Sequence, residues 1–480
     1  MVKCMSTEPK VFLHQHPKEI YSLFFTELWE RFSYYGLTAL LILYLYKHMG
    51  ITEQEAYLIY GTYGALVYIT SVLGGWLADR FLGRFFATLW GSIFIAVGHF
   101  VMFIPDPQHD FFYIGLGIII VGTGLFKPNI ANLIGKLYGT KPHLRNSGFT
   151  LAHVGCNIGT ILAPIICAYI AVHVSYPAAF GIAGFGMLLG IKSLVKIKGR
   201  VDIEVTPRKY NFMVIILGLM LVALIYQIFQ HITVTGYILA IVGILTVVML
   251  GKTVLISAKR QRSKILYAIG LMGLYLIFMI LLQISGGALN VFTDRYVDRV
   301  WLQYTIPTGA FQAVEPIAVV LLGLISMRLW QYSSKASNAI SYVVFFALAL
   351  FLQGLSFIIL CVGIDIYAGQ ALVPMIWLNT AYVLQAIGEL FIAPIGLSML
   401  SHWIPNKSLG VFMGAWLLMS AYANFIAAQL GVIFVSPTEA PVTISAYANL
   451  FQGLALLGSG CGTIILLGIV TIYLKDKLCS

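Results

Sequence analysis

Charge is what this sequence has least of. Only 10% of its 480 residues are Asp, Glu, Lys or Arg, against roughly 25% in a soluble domain. That shortage excludes an ordinary water-soluble enzyme. The 60% hydrophobic content excludes a disordered chain, which needs low hydrophobicity and high charge. Cysteine is sparse as well. Cys4, Cys156, Cys167, Cys361, Cys461 and Cys479 show no paired spacing and mostly lie in apolar runs, so neither a disulfide framework nor a metal site is expected. The opening MVKCMSTEPK has no apolar h-region and no cleavage site, so membrane insertion is expected to use the mature spans.

Long apolar runs are what the chain has in abundance. A spanning helix needs about 20 mostly apolar residues. Candidates lie near 20–46, 55–79, 85–104, 111–137, 147–172 and 177–195, then 211–231 and 234–257. Six more lie near 264–289, 309–330, 337–362, 373–402, 408–435 and 446–474. The order six, two, six predicts an all-α integral membrane protein of about 14 transmembrane helices. Residues 1–200 would form one six-helix bundle, 201–263 two additional helices, and 264–480 a second six-helix bundle. The lipid bilayer is then its first partner.

The basic residues sort by side. Of the 29 Lys and Arg, only Lys47, Arg295 and Arg299 fall on one side, and only Arg31 and Lys127 fall inside spans. The rest share the side of both termini, which the positive-inside rule makes cytoplasmic. The formal charge of +11 is therefore read as a topology signal rather than as nucleic-acid binding. Glu27, Glu30, Glu315 and Glu389 also lie inside spans, with Asp79 at a span end. Each such charge facing lipid costs about 2.5–3.5 kcal/mol on the insertion scale. They are expected to face a bundle interior or a wet cavity. Buried ion pairs that only fix packing are the plainer alternative, but four acids cannot all pair with two bases.

Three groups carry chemistry. In FFTELWERFSYYG, Glu27, Glu30 and Arg31 stand at i, i+3 and i+4 on one helical face. Arg31 neutralises one carboxylate and leaves the other able to load and release a proton. Tyr34 and Tyr35 follow one turn on, as pocket walls or as packing. In GTGLFKPNI, Lys127 precedes Pro128, which disfavours helix at the residue before it. A cation at a helix break suits an anionic substrate group; a kink beside a snorkelling Lys is the alternative. Glu315 precedes Pro316 in FQAVEP, and Glu389 precedes Pro394 in GELFIAPIGLS. His153 and Asn157 share a face in SGFTLAHVGCNIGTILAP, with His153 as readily a packing residue as a ligand contact, and His99 reads as structural. Ionisable residues beside expected breaks in both halves point to a central site between two bundles. GGWLADRFLGR, with Asp79, Arg80 and Arg84, forms a loop at the basic side, and MRLWQYSSK (327–335) is a weaker counterpart.

These segments together resemble the proton-coupled oligopeptide transporter family of the major facilitator superfamily, over nearly the whole chain. ELWERFSYYG matches the family run E-x-x-E-R-F-x-Y-Y-G without a mismatch. GGWLADRFLG, GTGLFKPNI, the F-x7-N ending at Asn157, IPTGAFQAVEP and GELFIAPIGLSML follow in the family's order. The two additional helices resemble the bacterial members. The resemblance implies a non-enzymatic symporter of the inner (plasma) membrane that imports di- and tripeptides, with protons as the coupling ion and no cofactor. Carried over by position, it implies that Glu27, Glu30 and Arg31 couple protons. Arg31 and Lys127 would face the peptide carboxylate, Asn157 and Glu389 the peptide amine, and Tyr34, Tyr35 and Tyr68 would line the pocket.

The chain departs from the family at four places. Thr38 stands where the family has Arg. The family's partner Glu is absent from LLQISGGALN, where Gln283 is nearest. His153 replaces a pocket Tyr, and Glu315 replaces an amine-binding Asn. The site's four acids and two bases favour a tolerance for cationic substrates. Competing readings are a proton/drug antiporter, another transporter of peptide-like or cationic compounds, a channel, and an intramembrane enzyme using Ser285. The enzyme lacks a His with an orienting acid at matching depth. Ionisable residues beside expected breaks in both halves favour alternating access over a pore.

Overall fold

The computed structural model describes residues 16–139, 144–198, 208–333, 339–367, 372–435 and 443–478. The first bundle comprises α1 (Glu19–Lys47), α2 (Glu53–Leu77), α3 (Arg84–Phe103), α4 (Asp110–Leu137), α5 (Arg145–His173) and α6 (Tyr176–Val195). Then come α7 (Arg208–Gln230) and α8 (Thr233–Ile256). The second bundle comprises α9 (Lys259–Gln283), its continuation α10 (Ala288–Tyr296), α11 (Val314–Ser333), α12 (Ala339–Tyr367), α13 (Met375–Trp403), α14 (Asn406–Val435) and α15 (Ile444–Leu478). Counting α9 and α10 as one span gives the order expected, six, two and six. Among the described residues, 12 segments are both long and apolar enough to cross a membrane. The first helix is long enough but carries Glu19, Glu27, Glu30, Arg31 and Lys47. The tenth span is apolar over Thr308–Gly323, the part whose side chains are described.

Local chemistry sets the helix ends. Thr52 caps α2 by accepting the Glu55 amide, 3.3 Å away, and Ser175 caps α6 by accepting the Ala178 amide, with Pro177 beside it in the first turn. Asp106 takes that role for α4, where His109 is left-handed and gives no side-chain cap. It accepts the amides of Phe111 at 2.9 Å and Gln108 at 3.0 Å, and these bonds hold its carboxyl below the usual carboxylate range. After α2 a π turn over Ala78–Leu82 leads to Gly83 at φ 68, a conformation that glycine adopts without strain. Arg84 reaches back from there to Asp79, 3.4 Å away. MRLWQYSSK runs out of the described residues at Ser334 and Lys335.

Apolar side chains fill the interior and also cover the outer surface, unlike in a soluble bundle, and some polar ones are buried inside. Thr62, Ser92, His99, Gln353 and Gln385 are fully enclosed, while Tyr237, Ile241 and Ile244 of α8 are more than half exposed. His99 is structural, as expected: its Nε2 lies 2.6 Å from Ser33 Oγ and ties α3 to α1. The additional helices straddle the bundles. α7 packs on α4, with Tyr226 donating to Asp110 at 2.6 Å. Tyr422 of α14 donates to the Leu239 carbonyl of α8 at 2.8 Å.

The expected breaks at proline are corrected. α4 runs through Pro128 and α13 through Pro394 as continuous helices. Pro316 lies in the first turn of α11, where a missing N–H breaks no helical bond. The break falls elsewhere, at a 3-10 turn over Ile284–Gly286 between α9 and α10. There the Gly286 backbone passes so close to the Tyr60 hydroxyl that a methyl group would overlap it.

Candidate functional site

Close helix approach builds the first half of the site. Gly155 and Gly159 of α5 face Phe24, Leu28 and Arg31 of α1, and a methyl at Gly159 would overlap the Leu28 carbonyl. That contact brings Cys156 against the Glu27 carboxylate, to which its thiol donates a hydrogen bond. Of the two carboxylates on α1, Arg31 lies beside Glu30. Arg31 Nε lies 2.9 Å from Glu30 Oε2, the adjacent residue, but outside hydrogen-bond geometry. Neither oxygen of buried Glu30 accepts a bond from a described residue. Glu27, Glu30 and Arg31 are thus brought together with Cys156 as a fourth member.

An aromatic wall carries the second cation. Lys127 Nζ lies 4.0 Å from the centre of the Tyr68 ring and 5.7 Å from that of Tyr34. Arg31 approaches the same Tyr34 ring at 6.0 Å. Tyr34 meets Tyr35 edge-on at 5.3 Å and stacks on Tyr63 at 6.3 Å. Lys127 is half-buried, although Phe126 and Asn129 beside it are fully buried. Its ammonium lies between rings of α1 and α2, within the first bundle. His153 is exposed on α5, one turn from half-buried Asn157, and the Arg31 charge acts on it.

The second half contributes carboxyls. Glu315 on α11 and Glu389 on α13 are both half-buried and near enough for the charge of one to act on the other. Tyr35 of the first half is near enough to feel both the Arg31 charge and the carboxyls of this pair. Tyr275 of α9 and Tyr382 of α13 face the pair from the second half. Tyr275 stacks on Trp416 at 3.8 Å, and Ser420 of α14 lies at the Tyr68 hydroxyl. The sequence reading missed Cys156, Tyr60, Tyr63, Tyr275, Tyr382, Trp416 and Ser420. The first three lie within a few turns of a recognised residue; the others have no local signal, because packing across the bundles brings them in. Of the departures, Thr38 is satisfied within its own helix, donating to the Tyr34 carbonyl at 3.1 Å, and Gln283 ends α9.

One end of the molecule is tied shut. Asp294 of α10 accepts from Lys47 at 2.5 Å, from Thr308 at 2.7 Å and from Tyr46. Arg299 approaches it at 3.7 Å, and Arg295 pairs with Glu53 of α2. Lys47, Arg295 and Arg299 are the three basic residues that the charge pattern set apart, gathered at the end opposite the termini. At the termini end, Arg84 pairs with Asp79 within one bundle.

Known proteins of this shape exist. A crystal structure of the peptide transporter POT in complex with sulfate superposes with a TM-score of 0.81 at 29% identity, over 96% of each chain. The YclF transporter of Bacillus subtilis (strain 168), described as uncharacterized, is 32% identical over 92% of this chain and 93% of its own. Dipeptide and tripeptide permease A of Proteus mirabilis (strain HI4320) is 27% identical over 98% of this chain and 97% of its own. The fold is accordingly that of the major facilitator superfamily, with two helices added between the bundles. With its model matching residues 85–450, this chain belongs to the POT family.

Proposed function

We propose that this protein is a proton-coupled symporter that imports di- and tripeptides by alternating access. The observation that carries the proposal is the opposition of charge between the two bundles. Arg31 and Lys127 come from the first bundle, and Glu315 and Glu389 from the second. A free peptide presents a carboxylate at one end and an ammonium at the other. Bound between the bundles, it would neutralise both sides and draw them together, with Asn157 and His153 beside the cations and Tyr34, Tyr35 and Tyr68 as its walls. Glu27 and Glu30 share one cation, so a proton on either changes the charge beside the peptide carboxylate. In this reading both termini are cytoplasmic, the membrane is the inner (plasma) membrane, and the tied end faces outward, leaving the site to the cytoplasm.

Uptake of labelled Ala-Ala into proteoliposomes decides it. Accumulation is expected with an inwardly directed proton gradient and counterflow without one. No uptake in either mode would refute it. The aromatic wall favours a second reading, a proton/drug antiporter, in which the same gradient would drive an aromatic cation outward instead.

Glu315 also sets a specificity in this reading. Glu315→Asn is expected to shift competition away from Ala-Lys toward Ala-Ala while retaining transport. An unchanged ranking of Ala-Ala, Ala-Lys and N-acetyl-Ala-Ala would remove Glu315 from the amine end.

A further inference from the structure

One carboxylate of the first helix is held from another helix. The Cys156 thiol of α5 donates a hydrogen bond to Glu27 of α1, and among the described residues it is the one donor to that side chain. Backbone contact fixes the meeting. A methyl on Gly155 would come within 2.7 Å of the Phe24 carbonyl oxygen, and one on Gly159 within 2.2 Å of that of Leu28. Cys156 stands between these two contacts, so its thiol has little room to move away from α1. Glu30 is held differently. Its side chain is 1% exposed, Arg31 Nε lies 2.9 Å from it, and neither of its oxygens accepts a hydrogen bond from a described residue. The charged and titratable groups that act on Glu27 are Arg31 and Glu30 from its own helix and Cys156 from α5. The α6 helix meets this stretch through Gly186 at Trp29 and Gly190 at Trp29 and Thr26, which carry no charge.

We infer that Cys156 is a positioning residue for proton coupling: its thiol holds the Glu27 carboxylate toward α5, while Glu30 stays beside Arg31, and so sets the pH at which Glu27 takes up the coupling proton. A thiol has one proton to donate. It bonds an ionised carboxylate more strongly than a protonated one, and a bond to the charged form favours that form. Without the donor, Glu27 would keep its proton to higher pH. The two acids, one turn apart on α1, are thereby made unlike, one by a guanidinium of its own helix and the other by a thiol of a second helix. The inference rests on the transport reading for the part that Glu27 plays in coupling.

Infrared spectroscopy of the purified full-length protein, in the S–H stretching region, tests the contact. The difference between wild type and Cys156→Ala isolates the Cys156 band from those of the other cysteines. That band is expected to move as pH falls and its acceptor takes up a proton, and to lose this pH dependence in Glu27→Gln. Uptake of Ala-Ala into proteoliposomes, measured against pH, tests the coupling. Cys156→Ala removes the donor, so its profile should shift upward by about half to one pH unit. Cys156→Ser restores a donor, and its profile should return toward that of wild type. Thermal melting checks that both variants fold. A band indifferent to pH, or one that still moves in Glu27→Gln, would overturn the contact as a control on Glu27. An unshifted profile in Cys156→Ala, or equal shifts in the alanine and serine variants, would overturn the positioning role and leave Cys156 as packing. If wild type takes up no Ala-Ala, the transport reading fails, while the band still decides whether the thiol holds a Glu27 that gains and loses a proton.

Discussion

Glu27 and Glu30 face a single guanidinium, and the structure divides them. Glu30 lies beside Arg31, whereas Glu27 accepts from the Cys156 thiol. Removing either charge should separate coupling from exchange. Glu27→Gln or Glu30→Gln is expected to abolish gradient-driven accumulation in proteoliposomes but to leave counterflow partly intact. Normal accumulation in both variants would show that neither couples. Lys127 is the second test at this scale. A charge-assisted contact to a buried carboxylate costs about 2–5 kcal/mol when one partner is removed. Lys127→Ala should therefore weaken Ala-Ala binding far more than that of its C-terminal amide. Equal losses for both ligands would assign Lys127 to gating instead. The motif residues on α1 were legible because they lie in one helix, where spacing fixes the face. Cys156 was not, because its place opposite Glu27 depends on how closely Gly155 and Gly159 let α5 approach.

At the scale of elements, the ties around Asp294 hold the end of α1 to α10. Asp294 gathers Lys47, Tyr46, Thr308 and Arg299, and its side chain is 6% exposed. Breaking a buried pair of this kind costs about 3–5 kcal/mol. About 2.7 kcal/mol already takes a 99:1 population to parity. Asp294→Ala is thus expected to loosen the tied end, read as a longer distance between spin labels placed near the end of α1 and the end of α10. A distance distribution identical to wild type would show that these ties do not set the conformation. The α2–α14 seam is the second element-scale feature. Gly61 and Gly64 lie against Ala428 and Asn424 with no room for a side chain. Gly64→Val overpacks that seam, at a cost of about 1–3 kcal/mol. A lower melting temperature and lost counterflow are expected; wild-type values for both would mean that the seam gives way freely. The proline breaks expected from sequence failed at this scale. A single Pro removes one bond, and a long helix packed on both sides absorbs that loss.

For the whole molecule, orientation follows from charge. Nearly all Lys and Arg lie at the end of the termini, so those ends should face the cytoplasm. With the other cysteines replaced, Asp298→Cys in the loop after α10 should react with an impermeant maleimide added to intact cells. Reaction only in inverted vesicles would reverse the topology. The two additional helices also belong to this scale. The α7 helix leans on the first bundle and α8 on the second, so the pair must slide or flex if the bundles rock.

By itself the sequence determined the number and order of the helices, because burying a backbone in lipid demands long apolar runs whatever they pack against. It also determined the sidedness of its charges and the family motifs on α1, α4, α5, α11 and α13. Tertiary structure alone decided which residues meet across helices. Cys156 at Glu27, the approach of Glu315 to Glu389, and the gathering of Lys47, Arg295 and Arg299 around acids at one end each join positions far apart in the chain. Periodicity reports the face of one helix, and the distance between two faces is set by the small residues and side-chain volumes at their crossing.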